Sequence, residues 1–402
     1  MINLKAFINK YVIKREESMF FSDLATSSNK IESEIKGKKL LVIGGAGSIG
    51  SAFIKAILPF RPSSLVVVDI NENSLAELTR DLRSTIDMYI PETYITYPMD
   101  FASSVFEKMF RHYGRFDIVA NFSAHKHVRS EKDIYSVEAL LRNNLLNAKK
   151  LLDLLAEIPP EKFFCVSTDK AANPVNIMGA SKRIMEDLIF SYSDKFLVNT
   201  ARFANVAFSN GSLPAGFLAR INKLQPLSAP LDVKRFFVSP EESGHICLLA
   251  CIMGRNREIF FPKLDDAQMM SFDSIAKNLL YEYGYDILPC QSDSEAVDKS
   301  EDLKYGSKSY PVHFSNSDTS GEKMYEEFFT SGETVDFTRF SSLGVIKAKE
   351  MPNKYKIDNL LISLSKEFEQ DSTNKGKIIE ILTKYLPNFH HMETGKSLDG
   401  KM

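Results

Sequence analysis

The chain has 402 residues, 44% hydrophobic and 25% charged, a globular balance that excludes wholesale disorder and leaves room for more than one domain. Lys and Arg number 50 against 52 Asp and Glu, a net charge of −2, so no basic excess exists to neutralise a nucleic-acid backbone. Four cysteines cannot staple a chain this long and fit a reducing compartment, and no apolar run reaches the ~18 residues of a membrane span.

Residues 1–38 read as a separate helical extension. Leu4, Phe7, Ile8 and Tyr11 fall at helical spacing, and Ser27, Ser28, Asn29 and Lys30 read as a break before a second short helix. Charges at Lys10, Lys14, Arg15 and Glu16 interrupt any signal-peptide core, so the expected location is the cytoplasm. From Lys39 strands alternate with helices. Strands are expected over 39–43, 65–69, 116–121 and 163–167, and helices over 48–58, 73–84, 136–157 and 178–193. Apolar strands alternating with amphipathic helices specify a parallel sheet covered on both faces, an α/β Rossmann doubly wound fold. After about residue 205 the alternation weakens. Segments 229–237, 258–264 and 310–316 read as scattered strands of a smaller domain interleaved with the first. Residues 254–255, 293–295 and 331–333 read as loops, 358–389 as helical, and 393–402 as a disordered tail.

The strongest local motif is Gly44-Gly45-Ala46-Gly47-Ser48-Ile49-Gly50, placed between a strand and a helix. Glycines permit the tight turn and close approach to a pyrophosphate, and the helix N-terminus supplies unpaired N–H groups. Asp69, at the end of the next strand, stands where an acid binds the adenosine ribose hydroxyls. With an acid there and no adjacent cation, NAD is favoured over NADP. Asp100, after the third strand, reads equally as an adenine-edge contact or a solvated loop carboxylate.

Ser167-Thr168-Asp169-Lys170-Ala171-Ala172-Asn173-Pro174 follows a strand at the end where open α/β sheets bind ligands, and Lys182 lies on the next helix. With Ala124-His125-Lys126-His127-Val128, Arg202-Phe203-Ala204-Asn205-Val206, Ser209-Asn210-Gly211-Ser212, Arg235-Phe236-Phe237 and the run from Gly321 to Glu327, the sequence resembles the extended short-chain dehydrogenase/reductases. Within them it is most similar to nucleotide-sugar 4,6-dehydratases of bacterial polysaccharide and flagellin-sugar synthesis. The nearest likeness is to N-acetylglucosamine-nucleotide dehydratases of legionaminic acid synthesis, whose donor is GDP-linked; better known relatives use UDP-N-acetylglucosamine.

The pattern divides the chain into an NAD-binding domain over 39–205, a mainly substrate-binding domain over 206–335 with segments returning to the first, and a C-terminal helical region over 336–392; the resemblance implies a homodimer or larger homo-oligomer. One residue departs from the superfamily pattern: Met178 stands where a tyrosine normally takes the substrate hydroxyl proton, and a thioether is no base. Lys182 remains to hold the nicotinamide ribose.

By resemblance Asp169 is the acid that protonates the C6 hydroxyl, Lys170 the base at C5, and Thr168 a hydrogen-bond partner of the sugar near C4. The O4 proton falls to Lys182 or Lys170. An isolated Asp-Lys would read as a surface ion pair. Lys126 and His127 are expected near cofactor and sugar, as functional or structural residues alike. Asn205 is expected at the donor's phosphates, Arg235 at a phosphate or anchoring a loop by a salt bridge, and Glu322 and Lys323 at the nucleotide or subunit surface. Asn144 either steadies the sheet through water or faces solvent. Cys247 and Cys251, one helical turn apart, read as core rather than metal ligands. Two rival functions remain: a nucleotide-sugar 4-epimerase, which normally relies on the missing tyrosine, and a non-catalytic NAD sensor.

Overall fold

Continuous apolar runs are what a strand needs when helices cover both of its faces, and they become the inner strands of one sheet. The computed structural model describes residues 2–126, 131–317, 326–347 and 350–392. Strands β1 (Lys39–Ile43), β2 (Ser64–Asp69), β3 (Thr93–Pro98), β4 (Ile118–Asn121), β5 (Lys162–Val166) and β6 (Leu197–Ala201) run parallel in the order β3-β2-β1-β4-β5-β6. Strand Ile259–Pro262 adds parallel to β6, and Leu343–Ile346 and Val335–Asp336 finish the edge antiparallel, giving nine strands. Leu41, Val42, Leu65, Val66 and Val67 are fully buried. The order reverses between β1 and β4, so the loops leaving their carboxyl ends diverge and open a crevice there.

A smaller core forms around three parallel strands, Asp286–Cys290, Ser309–Ser315 and Leu227–Pro230, with helices Leu213–Asn222 and Phe272–Glu282. Phe217, Ile275, Leu279, Tyr310 and Val312 fill it, joined by Phe7, Ile8, Val12 and Ile13 from the start of the chain. Residues 2–35 therefore straddle both cores: Phe20, Ile31 and Ile35 pack on the large sheet's cluster. At the crossing, Arg15 donates to both oxygens of the fully buried Glu242 at 2.6 and 2.7 Å.

Helices Lys354–Phe368 and Lys375–Tyr385 cover the outer side of the helices before and after β5. Arg142 donates to the Phe368 carbonyl (3.3 Å), Thr373 to Glu138 (2.9 Å), and Tyr385 to Asp187 (3.2 Å).

Three expectations are corrected. Residues 27–30 do not break a helix; Phe21–Ile35 runs through them, because burial of Ser27, Ile31 and Ile35 on one face outweighs weak local propensity. Residues 229–237 form three short strands rather than one. Residues 293–295 open the helix Asp293–Lys299, capped by the Ser292 hydroxyl accepting from the Glu295 amide and anchored by buried Ala296. The tail 393–402 lies outside the described residues. Among the described residues no helix is long and apolar enough to cross a membrane.

Candidate active site

The glycine loop leaves β1 and turns into the helix Ser48–Ile57. Gly44 has φ +70°, and a side chain there would meet the Ser123 backbone nitrogen at 2.6 Å. At Gly50 a Cβ would lie 2.4 Å from the Gly44 carbonyl, so helix and loop close up only around glycine. Gly47 is the N-cap and no side chain caps this helix, which leaves first-turn N–H groups, those of Ser48 and Ile49 among them, to face an anion. Asp69, at the end of β2, accepts from the Ala46 amide at 3.1 Å, tying the acid to the loop. These features fit a dinucleotide pyrophosphate and ribose. Asp100 is exposed beyond β3, accepting from the Ala102 amide at 2.8 Å.

The second half of the site lies beyond β5. Thr168 caps the short turn Asp169–Ala171 and donates its hydroxyl to Asp169 Oδ1 at 2.7 Å. Lys170 Nζ donates to both Asp169 oxygens at 3.2 Å. Asp169 is 3% exposed, so this carboxylate is buried rather than on the surface as an isolated Asp-Lys pair would be. Lys182 Nζ is buried and donates to the Val166 carbonyl at 3.0 Å; burial pushes its amine below the ordinary lysine range. Burial likewise pushes the neighbouring Cys165 thiol up to about 11. Met178 is 1% exposed and offers the site no hydroxyl.

Asn144 does not face solvent. It sits in the widened turn Arg142–Asn147 of the long helix, accepts from the His125 amide (3.0 Å), and donates to the His125 carbonyl and Ser181 hydroxyl (3.0 and 3.1 Å). It ties the loop after β4 directly to the helix Ile177–Phe190. Lys126 is exposed at the end of that loop; His127 lies outside the described residues, as do Glu322 and Lys323.

Asn205 and Arg235 meet a residue that sequence reasoning passed over, Glu326. Its carboxylate accepts from Asn205 Nδ2 at 2.5 Å and the Phe236 amide at 2.7 Å, with Arg235 Nε at 3.7 Å. Arg235 is 6% exposed and lies against this carboxylate, as the loop-anchoring alternative has it. Burial first, and then the charge of Asp169, raise the Glu326 carboxyl to about 7, against the pull of Lys170 and Arg235. The run from Gly321 to Glu327 carries the signal for Glu326, although Glu322 and Lys323 are the charged pair that stands out in it.

Behind the turn, fully buried Arg202 on the segment after β6 donates to Glu186 (2.9 and 2.8 Å), Glu333 (2.9 Å) and the Phe328 carbonyl (2.8 Å). Burial opposes its charge, yet the two carboxylates hold its pKa above the ordinary value. Ser167 donates to Glu186 at 2.7 Å, so this network also fixes the start of the Thr168–Lys170 segment. Cys247 and Cys251 are fully buried core thiols.

A family profile described as polysaccharide biosynthesis protein matches residues 40–348. The probable polysaccharide biosynthesis protein EpsC of Bacillus subtilis is 28% identical over 84% of this chain, which spans about half (52%) of that protein. A UDP-N-acetylglucosamine 4,6-dehydratase (inverting) of Campylobacter jejuni is 27% identical over 60% of this chain and 72% of its own. A UDP-glucose 4-epimerase of Rickettsia canadensis is 31% identical over 56% of this chain and 66% of its own. Among solved structures, Pen from Bacillus thuringiensis superimposes with a TM-score of 0.64 at 20% identity, covering 82% of this chain and 98% of that one, and so shares the fold.

Proposed function

Because the chain belongs to the polysaccharide biosynthesis protein family, we propose that it carries out NAD-dependent 4,6-dehydration of a nucleotide-activated N-acetylglucosamine, GDP- or UDP-linked, for surface-glycan or legionaminic acid synthesis. The observation that carries this reading is the buried Asp169 bonded through both oxygens to Lys170, beside buried Lys182 and the glycine loop. The C. jejuni relative's name supports the reaction class.

Gly44, Gly47, Ser48, Ile49, Gly50 and Asp69 would hold NAD and Lys182 its nicotinamide ribose; bound NAD+ supplies a reversible acceptor for the hydride that leaves C4 and returns to C6. Lys182, whose buried amine is pushed below the ordinary lysine range, would take the O4 proton directly or through the ribose hydroxyl. The ketone at C4 acidifies the C5–H bond. The Lys170 amine removes that proton while the Asp169 carboxylic acid protonates O6, and water departs. Neutral amine plus carboxylic acid hold the same protons as the ion pair in the structure, so the pair can exchange these forms by one transfer across 3.2 Å. Elimination leaves ammonium and carboxylate. Lys170 then returns its proton to C5 as C6 is reduced, and the proton lifted from O4 restores Asp169. Substrate and product differ by one water and the protein ends as it began.

Incubation of the protein separately with GDP- and UDP-N-acetylglucosamine tests this. Loss of one water from one donor, with a 4-keto-6-deoxy sugar by NMR, is expected. Unchanged mass with an inverted C4 would give the 4-epimerase reading. NAD binding with neither donor altered would leave the sensor.

A further inference from the structure

The helix Ile177–Phe190 carries Met178, Ser181 and Lys182 into the site, and its first turn has N–H groups with no partner inside the helix. Asn176 satisfies the Gly179 amide at 2.7 Å. The Met178 amide is satisfied from elsewhere: it donates to Glu131 Oε1 at 2.9 Å. The other oxygen of Glu131 lies 3.2 Å from Nε2 of His391, near the far end of the chain. The same terminal segment reaches the helix by its backbone, where the Met392 amide donates to the Val175 carbonyl at 2.9 Å. Both side chains are withdrawn from solvent, His391 8% and Glu131 11% exposed. Phe389, 2% exposed, roots the segment in the main core, and its ring lies 6.1 Å from that of His391. Further along the helix, Tyr385 donates to Asp187. The C-terminal region therefore grips the catalytic helix at two places.

We propose that His391 is a positioning residue, acting through Glu131 to fix the start of the helix that presents Met178 and Lys182. A carboxylate only accepts, so Nε2 of His391 carries the hydrogen in this contact, whether the ring is neutral or charged. Glu131 is then a two-sided link: one oxygen holds the helix amide, the other is held by the C-terminal segment. A carboxylate at that spot also complements the positive end of the helix. One turn later sits Lys182, whose placement decides whether it meets the cofactor ribose. Position 178 has no tyrosine to be held in place by the substrate hydroxyl, so the register of this turn depends on what grips it from outside.

The inference rests on the dehydratase reading for its kinetic readout alone; amide exchange tests it independently. In His391→Ala, hydrogen exchange over residues 175–182 is expected to accelerate, and kcat to fall about tenfold or more with KM for the nucleotide sugar within about twofold, as for a misplaced catalytic group. His391→Gln, whose amide can donate to Glu131, should recover most of both. In Glu131→Ala, adding His391→Ala should cost little more, because the link is already cut. Exchange and kcat in His391→Ala both within about twofold of wild type would overturn the proposal, as would a His391→Gln variant as impaired as the alanine. If the wild-type protein turns over neither donor, the dehydratase reading fails, and the exchange comparison alone decides the role of His391.

Discussion

Glu326 is a buried carboxyl poised to titrate near neutrality, and replacing it with glutamine removes that titration while keeping its shape. The group is raised from 4.5 to about 7 by burial and by Asp169. A folded value above the unfolded one means the folded protein binds the proton more tightly. The associated stability is present in full below about 4.5 and is lost as pH rises through about 7. A shift of that size corresponds to at most about 3 kcal/mol. A protonated glutamate and a glutamine each keep one acceptor for the Phe236 amide and turn one donor toward Asn205, whose side-chain amide must rotate to present its oxygen in either case, so at pH 5 the two proteins should be close in stability. At pH 8 Glu326→Gln should be more stable by up to ~3 kcal/mol, or roughly 4 °C in Tm for a chain of this size. Urea and thermal unfolding at pH 5, 6, 7 and 8 would measure it. A wild-type-to-variant difference that stays flat across this range would refute the reasoning.

Four further outcomes are expected. Gly50→Ala puts a methyl 2.4 Å from the Gly44 carbonyl and should weaken NAD binding about a hundredfold or more; titration of NAD by calorimetry would show it, and unchanged affinity would exclude the loop as the pyrophosphate site. Asp169→Asn and Lys170→Ala should each slow water loss by at least ~100-fold, and only the lysine variant should also stop deuterium from heavy water entering C5. Arg202→Met strands Glu186 and Glu333 in the interior and should cost about 3–5 kcal/mol in denaturant unfolding. Asn199, fully buried in β6, has both side-chain polar atoms without a partner among the described residues; Asn199→Leu should stabilise by about 1–2 kcal/mol, and a loss instead would point to an ordered water held there.

The strands that read clearly in the sequence are those whose burial is complete. Leu40–Ile43, Leu65–Val68 and Phe163–Val166 are unbroken apolar stretches because helices cover both faces. β6 is not legible in the sequence because Asn199 and Thr200 interrupt its apolar run, nor is the helix Ser104–Tyr113, where Glu107, Lys108, Arg111 and His112 crowd a short amphipathic face. At the site, the glycine loop and the Thr168–Lys170 segment were legible since their chemistry is contiguous in the chain. The partners that set their environment are not: Glu326 meets Asn205, and His391 meets Glu131, across more than a hundred residues, and only tertiary packing brings them together. Asn144 was ambiguous for a related reason. A polar residue within a helix shows its buried role only when the neighbouring loop supplies a backbone to bond.

The opening stretch of the chain threads through both hydrophobic bodies and is knotted down between them by Arg15 on Glu242. Swinging those bodies apart would have to break that desolvated ion pair, at about 3–5 kcal/mol, making a wide-open form rarer by roughly a hundredfold or more. Motion is thereby thrown onto the loops at the rim, while the spacing between the larger and the smaller body is held by a tether rooted in both.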